Sequence, residues 1–305
     1  PIIMPELPEV ETTKLSLEPL IGQTVTCVQV RHPRLRYDIA KDLDSLVGFV
    51  LTKLQRRAKY LLLDFYHAHD SRQKTLLIHL GMSGSLQQHI NEPPRKHDHV
   101  LIDFADSHGK IITLHYHDPR RFGMILWVVN DDYIDQPNTY ARFLAHLGPE
   151  PLSEDFDANY LIRYIMRPKS HQKPLNKPIK SLIMDQSVVV GVGNIYAAES
   201  LFLSGIHPLT PAYLVHEDKL VRLTHHIKQI LARAITQGGS TLRDFTVGSG
   251  KTGYFQQTLL VYGRQGESCA TCGSLLENIK ISGRASVYCP NCQPYHDHNN
   301  PSSQN

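Results

Sequence analysis

The stretch Val100-Leu101-Ile102-Asp103-Phe104-Ala105-Asp106-Ser107-His108-Gly109-Lys110-Ile111-Ile112-Thr113-Leu114-His115 sets two apolar, partly β-branched runs around a polar turn. Val100–Phe104 and Lys110–His115 read as strands, and Asp106-Ser107-His108-Gly109 reads as the hairpin turn between them. The same texture extends back to Thr24 and on to about Trp127, with further strands expected over Thr24–Val30, Tyr60–Phe65 and Thr75–Leu80. Several short strands with few helices predict a β-sandwich or barrel. Cys27, alone in an apolar strand, reads as a buried small hydrophobe.

Ahead of the strands the chain reads as a helix. Pro8 suits its first turn, Glu9 and Glu11 favour its positive end, and Gly22 is a C-terminal stop. Behind them, Leu147-Gly148-Pro149-Glu150-Pro151 marks a domain boundary. The pattern then turns helical. Leu220, Leu223, Ile227, Ile230, Leu231 and Ala234 share one helical stripe, and residues 178–204 read as helix, tight turn, helix. The expected fold class is therefore α+β. Its parts are an N-terminal helix with a β-sandwich over 1–150, a helical domain over 151–258, a C-terminal zinc hairpin over 259–293, and a disordered tail over 294–305.

Composition narrows the classes. With 305 residues, 41% hydrophobic and 20% charged, the chain can bury a core, which excludes wholesale disorder. No apolar run reaches the ~18 residues that a membrane span needs. The segment Pro1-Ile2-Ile3-Met4-Pro5 lacks the basic start and long apolar core of a secretion signal, so an intracellular, cytoplasmic protein is expected. A net charge of +3 permits nucleic-acid binding without demanding it.

Four of the five cysteines form two pairs, Cys269-Ala270-Thr271-Cys272 and Cys289-Pro290-Asn291-Cys292. Each pair can form a turn that aims two thiolates inward, and two such turns complete a tetrahedron around Zn²⁺. With all four positions filled by sulfur, no place remains for a metal-bound water, so the zinc is structural. The hairpin between the pairs carries Lys280, Gly283, Arg284 and Ser286.

Met4-Pro5-Glu6-Leu7-Pro8-Glu9-Val10-Glu11-Thr12 resembles the start of the bacterial formamidopyrimidine-DNA glycosylases, which act in base-excision repair. The resemblance continues through Arg56-Arg57-Ala58-Lys59-Tyr60, His79-Leu80-Gly81-Met82-Ser83-Gly84, Lys96-His97-Asp98-His99 and Asp118-Pro119-Arg120-Arg121-Phe122-Gly123. It goes on through His146-Leu147-Gly148-Pro149-Glu150-Pro151, Gly191-Val192-Gly193-Asn194-Ile195-Tyr196-Ala197, Gly253-Tyr254-Phe255 and the four cysteines with Arg284. It implies a β-sandwich domain, a helix–two-turn–helix domain and a zinc finger that grip damaged double-stranded DNA. The implied protein is a bacterial, nucleoid-associated monomer whose only metal is one structural zinc. The related endonuclease VIII prefers oxidised pyrimidines; Met82 and Arg120-Arg121-Phe122 favour oxidised purines.

The resemblance assigns the catalytic roles. Excision needs a nucleophilic amine at the sugar. Near pH 7 a lysine is neutral in roughly 4 of 10,000 molecules and an α-amine in about one in seven, so an N-terminal amine has an advantage of a few hundredfold. The family's N-terminal proline matches Pro5, with Glu6 as acid/base, Lys59 as proton donor or acceptor in β-elimination, and Arg284 in δ-elimination. A guanidinium is a poor acid, so orienting the phosphate suits Arg284 equally. Read alone, Glu6 is a helix-start glutamate and Lys59 a solvated charge. With Pro1-Ile2-Ile3-Met4 attached, the Pro5 nitrogen is an amide. The assignment therefore expects a start at Met4 with that methionine removed, or trimming to Pro5; otherwise Pro1 serves, or the chain is a zinc-ribbon DNA-binding protein without catalysis. Met82, Arg120 and Phe122 match the family's residues that fill the space left by a flipped base. His97, Arg120, Lys177 and Asn194 are phosphate-contact candidates, and Asn176 stands where the family usually has a lysine. Gly248–Tyr254 lacks the Gly-x₄-Gly-Lys pattern of a nucleotide loop and matches the family's loop over the flipped base.

Overall fold

A computed structural model describes residues 5–128, 139–167, 173–238 and 259–295. Pro1–Met4, the Gly248–Tyr254 stretch and the tail beyond Tyr295 lie outside the described residues. The described chain divides into two compact units, one of residues 5–146 with 235–238, the other of 147–234 with 259–295.

The first unit begins with helix α1 (Leu7–Leu17), and Pro8 stands in its first turn. The Glu9 carboxylate accepts from the Glu6 backbone N–H at 2.9 Å, which satisfies one of the donors a helix start leaves over. Gly22, at φ +86°, turns the chain into the sheet. Eight antiparallel strands follow: β1 (Thr24–Val30), β2 (Val50–Arg57), β3 (Tyr60–Tyr66), β4 (Gln73–His79), β5 (Ser85–His89), β6 (Asp98–Ala105), β7 (Ile111–His117) and β8 (Met124–Trp127). Their order is β5-β7-β6-β1-β2-β3-β4-β8. β1 and β2 share one residue pair, Thr24↔Val50, so two four-stranded halves meet at a corner. Both halves line one core. Leu61, Leu63 and Phe65 alternate inward from β3, and Val100, Ile102 and Phe104 do so from β6. Val10 and Leu17 of α1 join them. This is the expected sandwich.

One side chain lands on the other face. Cys27 is exposed, not buried. The β1–β6 register slips between Val25 and Cys27, where Thr26 is the extra residue of a bulge. An odd insertion reverses every later side chain, so Val25 points into the core and Cys27 away from it.

A short helix, α2 (Thr139–Phe143), ends the first unit's main run. In the second unit, Asp157 caps α3 (Ala158–Met166) through the Tyr160 N–H at 2.6 Å. α4 (Ile179–Ile183), a tight turn and α5 (Asn194–Leu203) fulfil the expected helix–turn–helix. On α6 (Glu217–Thr236), Leu220, Leu223, Ile227, Leu231 and Ala234 are buried as the stripe predicts, while Ile230 is half-buried at its margin. β9 (Glu277–Ile281) and β10 (Arg284–Tyr288) form the hairpin between the cysteine pairs.

Candidate active site

In the first unit the head of α1 places Pro5 and Glu6, both buried. Lys59 sits in the two-residue turn between β2 and β3, half-buried beside the buried Ala58, whose φ is +55°. An ion pair fastens the helix to this turn. Arg56 Nε meets Glu11 Oε2 at 2.6 Å, and Arg56 Nη1 donates to the Ala58 carbonyl at 2.9 Å. Burial pushes the Glu11 carboxyl up, but hydrogen bonds from Lys14 and Arg56 outweigh it, so the group sits below its ordinary value and stays ionised. The structure thereby ties the element bearing Pro5 and Glu6 to the element bearing Lys59.

His79, at the end of β4, completes this region. Its ring is held neutral. Burial, then the charges of Lys59 and Arg36, push its pKa down to about 4, and its Nδ1 accepts from the Gly81 N–H at 2.9 Å.

The loop after β4 carries Met82, and the loop after β7 carries Arg120 and Phe122. Asp118, wholly buried, latches them together. Its carboxylate accepts from Ser83 Oγ at 2.7 Å and from the Gly123 N–H at 2.9 Å, while its own N–H donates to the His97 carbonyl at 3.0 Å. Gly81 is obligatory here. It adopts φ +66°, and a Cβ on it would come within 2.5 Å of the Phe122 carbonyl carbon. Met82 is half-buried, Phe122 is 42% exposed, and the Arg120 guanidinium lies 4.9 Å over the Phe122 ring. Arg120 Nη1 is buried with no hydrogen-bond partner among the described residues. The four sequence candidates Met82, His97, Arg120 and Phe122 are thus brought to one loop cluster.

In the second unit Asn194 opens α5 after Gly193. Its Nδ2 donates to the Ala285 carbonyl at 3.1 Å, and its Oδ1 is buried without a partner among the described residues. Asn176 is exposed, and Lys177 pairs with Asp185 at 2.9 Å. Arg284, at the start of β10, is exposed. It lines a cleft of about 190 Å³ with Lys177, Lys180, Ser181 and Asp185. Sequence reasoning passed over Lys180. This lysine is 2% exposed and donates to Ser286 Oγ at 2.7 Å and the Ala285 carbonyl at 3.3 Å. The available signal was its place among Ile179, Leu182 and Ile183, where an ionic side chain drawn into the core needs a partner.

The four zinc candidates converge. The sulfurs of Cys269, Cys272, Cys289 and Cys292 all lie within 4.8 Å of one another, with Cys272–Cys289 at 3.4 Å and Cys269–Cys292 at 3.9 Å. Zn–S bonds of about 2.3 Å in a tetrahedron place sulfurs close to these separations. Burial and the surrounding thiols push Cys292 up, so four ionised sulfurs require a cation among them. One structural zinc fits. Cys269 and Cys289 also pack with Ala198 and Phe202 of α5, so the metal knuckles and the helix share a core.

Three family models match the chain in succession. Residues 4–125 match the formamidopyrimidine-DNA glycosylase N-terminal domain, 147–246 the H2TH domain of those enzymes, and 266–294 a zinc finger found in them and in IleRS. The formamidopyrimidine-DNA glycosylase of Psychrobacter arcticus is 54% identical, with 95% of this chain and 99% of the relative covered. That of Acinetobacter baylyi is 51% identical, covering 95% and 98%. The Lactococcus lactis protein, solved with DNA containing N7-benzyl-Fapy-dG, superposes with a TM-score of 0.80 at 34% identity over 95% of this chain and all of that one. The Thermus thermophilus protein gives 0.77 at 34%, covering 96% and 100%. The chain belongs to the formamidopyrimidine-DNA glycosylase family.

Proposed function

We propose that this chain flips oxidised purines, such as 8-oxoguanine and formamidopyrimidines, out of duplex DNA, excises them, and cleaves the strand at the resulting site. The observation that carries the reading is the clamp Glu11–Arg56–Ala58, which fixes the helix of Pro5 and Glu6 against the turn of Lys59. The Pro5 secondary amine attacks the sugar carbon as the glycosidic bond breaks, and the resulting iminium holds the sugar. Glu6 moves the proton at that centre, and Lys59 serves the β-elimination that follows. Arg284 orients the phosphate for the second elimination. Flipping the base costs a few kcal/mol of lost stacking, and Met82, Arg120 and Phe122 fill the space it leaves. His97, Arg120, Asn176, Lys177 and Asn194 contact the backbone. The protein works in the bacterial cytoplasm on the nucleoid, as a monomer. The loop cluster of Met82 and Phe122 favours this purine reading over the oxidised-pyrimidine one.

The test is borohydride trapping on an 8-oxoguanine duplex, followed by mass mapping of the cross-linked peptide. An adduct on a peptide beginning at Pro5 is expected. An adduct beginning at Pro1 keeps the lyase and relocates the nucleophile. No adduct, with Pro1–Met4 intact by mass, overturns the reading and leaves a lesion-binding protein.

A further inference from the structure

Asp98, at the start of β6, is wholly buried and gathers donors from two sides. The Arg95 backbone N–H reaches its Oδ2 at 2.7 Å, and the Arg95 guanidinium lies at 3.3 and 3.2 Å from the two oxygens. Across the β6–β7 ladder, His115 Nδ1 lies 3.0 Å from Oδ2 and His117 Nδ1 lies 2.8 Å from Oδ1. Burial pushes this carboxyl up, but His117, Arg95 and His115 outweigh it, and it stays well below the usual carboxylate range. An ionised carboxylate only accepts, so both imidazoles donate through Nδ1. Each ring then has Nε2 left for any further contact. His115 is 1% exposed and its Nε2 is enclosed. His117 keeps 22% exposure, and its ring stands edge-on to His97 at 5.9 Å.

We infer that His117 is a second backbone-phosphate contact beside His97, oriented by Asp98, and that the ring makes this contact carrying both of its protons. The inference rests on the DNA reading above. A phosphodiester oxygen only accepts, so Nε2 must donate to it while Nδ1 still donates to Asp98. The ring between two anions is then an imidazolium. The same carboxylate holds the turn that presents His97, through the Arg95 N–H, so Asp98 positions both rings. The charged and titratable groups around His117 are Asp98, His97 and, through Asp98, Arg95 and His115, with Asp118 next along the chain. Its partner on β5, Ser85, is uncharged.

The experiment measures anisotropy of a duplex carrying a tetrahydrofuran abasic analogue, and of its undamaged counterpart, for the full chain and for His117→Asn, from about pH 5.5 to about pH 8. Wild type should bind about fivefold tighter than His117→Asn at the acid end, with the gap closing at the alkaline end. At the acid end, its log K against log salt should be steeper by about 0.9. Asp98→Asn should lose the same pH-dependent increment; because that site is buried, the surface variant His117→Asn is the deciding one. Coincident pH and salt profiles for wild type and His117→Asn overturn the inference. If wild type binds both duplexes equally, the lesion reading fails instead, and the His117→Asn difference on either duplex still reports the phosphate contact.

Discussion

At Glu6 a single residue stands where a helix begins and where the proposed chemistry occurs. Glu6 is the N-cap of α1: its buried carboxylate faces the Glu9 N–H while the Glu9 carboxylate accepts from the Glu6 N–H, so the capping box holds in place the carboxyl that the proposed chemistry uses. Glu6→Gln keeps the shape and removes the titrating proton. Single-turnover excision of 8-oxoguanine should fall by at least ~100-fold while lesion-duplex affinity changes by no more than a few fold. A variant that still excises at the wild-type rate would remove Glu6 from the mechanism. At this scale the sequence was legible where a residue's identity dictated its partners, as with the four cysteines. It was not legible where partners come from distant parts of the chain. Nothing near Lys177 signals that Asp185 takes its charge, and nothing near Lys180 announces Ser286, 106 residues away.

Among the elements, the loop after β4 shows how backbone and side chain cooperate. The neutral His79 ring accepts from Gly81 and so pins the base of the loop that carries Met82. Its folded pKa of about 4 lies below the ordinary 6.5, so between those values the unfolded chain binds more protons than the folded one. Its contribution to stability is therefore complete above about pH 6.5 and is lost as pH falls toward 4, a change on the order of 3 kcal/mol. Thermal melting at neutral and acid pH should show this loss in wild type, and His79→Asn should flatten it. Equal acid sensitivity in both would place the titration elsewhere. The strands at Thr24–Val30 and Val100–Phe104, the 106–109 turn and helix α6 were readable because alternation, turn residues and helical periodicity agreed locally. β2, β5 and β8 were not: Gln87 and His89 are buried polar residues, so β5 has no apolar alternation to find. The Cys27 reversal has the same origin, since a bulge is a property of two strands and period-2 reading sees only one.

For the whole molecule, the two units respond differently to loss of metal. The zinc knuckles share a core with α5, and Glu199 of that helix accepts from the N–H groups of Leu260, Val261 and Tyr262 at 2.8, 3.0 and 2.8 Å, where the chain enters the hairpin region. Cys289→Ser or a strong chelator should therefore increase hydrogen exchange in the hairpin and α5 while β3 and β6 stay protected, and DNA affinity should fall with the zinc content. Wild-type affinity in a metal-free variant would make the hairpin peripheral. The architecture itself, sheet first, helices next, metal last, could be read from changes of texture along the chain. The packing of hairpin on helix could not, because its partners, Lys180 and Asn194 with Ala285 and Ser286 among them, lie 91 to 106 residues apart in the chain.

Lys180 and Asn194 grip one atom, the carbonyl oxygen of Ala285. That atom is common to every amino acid, so the side chain at position 285, which is exposed, is open to wide substitution. Chain length is not. Removing one residue from the Ser282-Gly283 turn would deliver a different carbonyl to the two helices and carry Arg284 off its place, although each remaining residue is one the hairpin tolerates. Drift in this part of the protein should therefore be permissive in letters and strict in spacing.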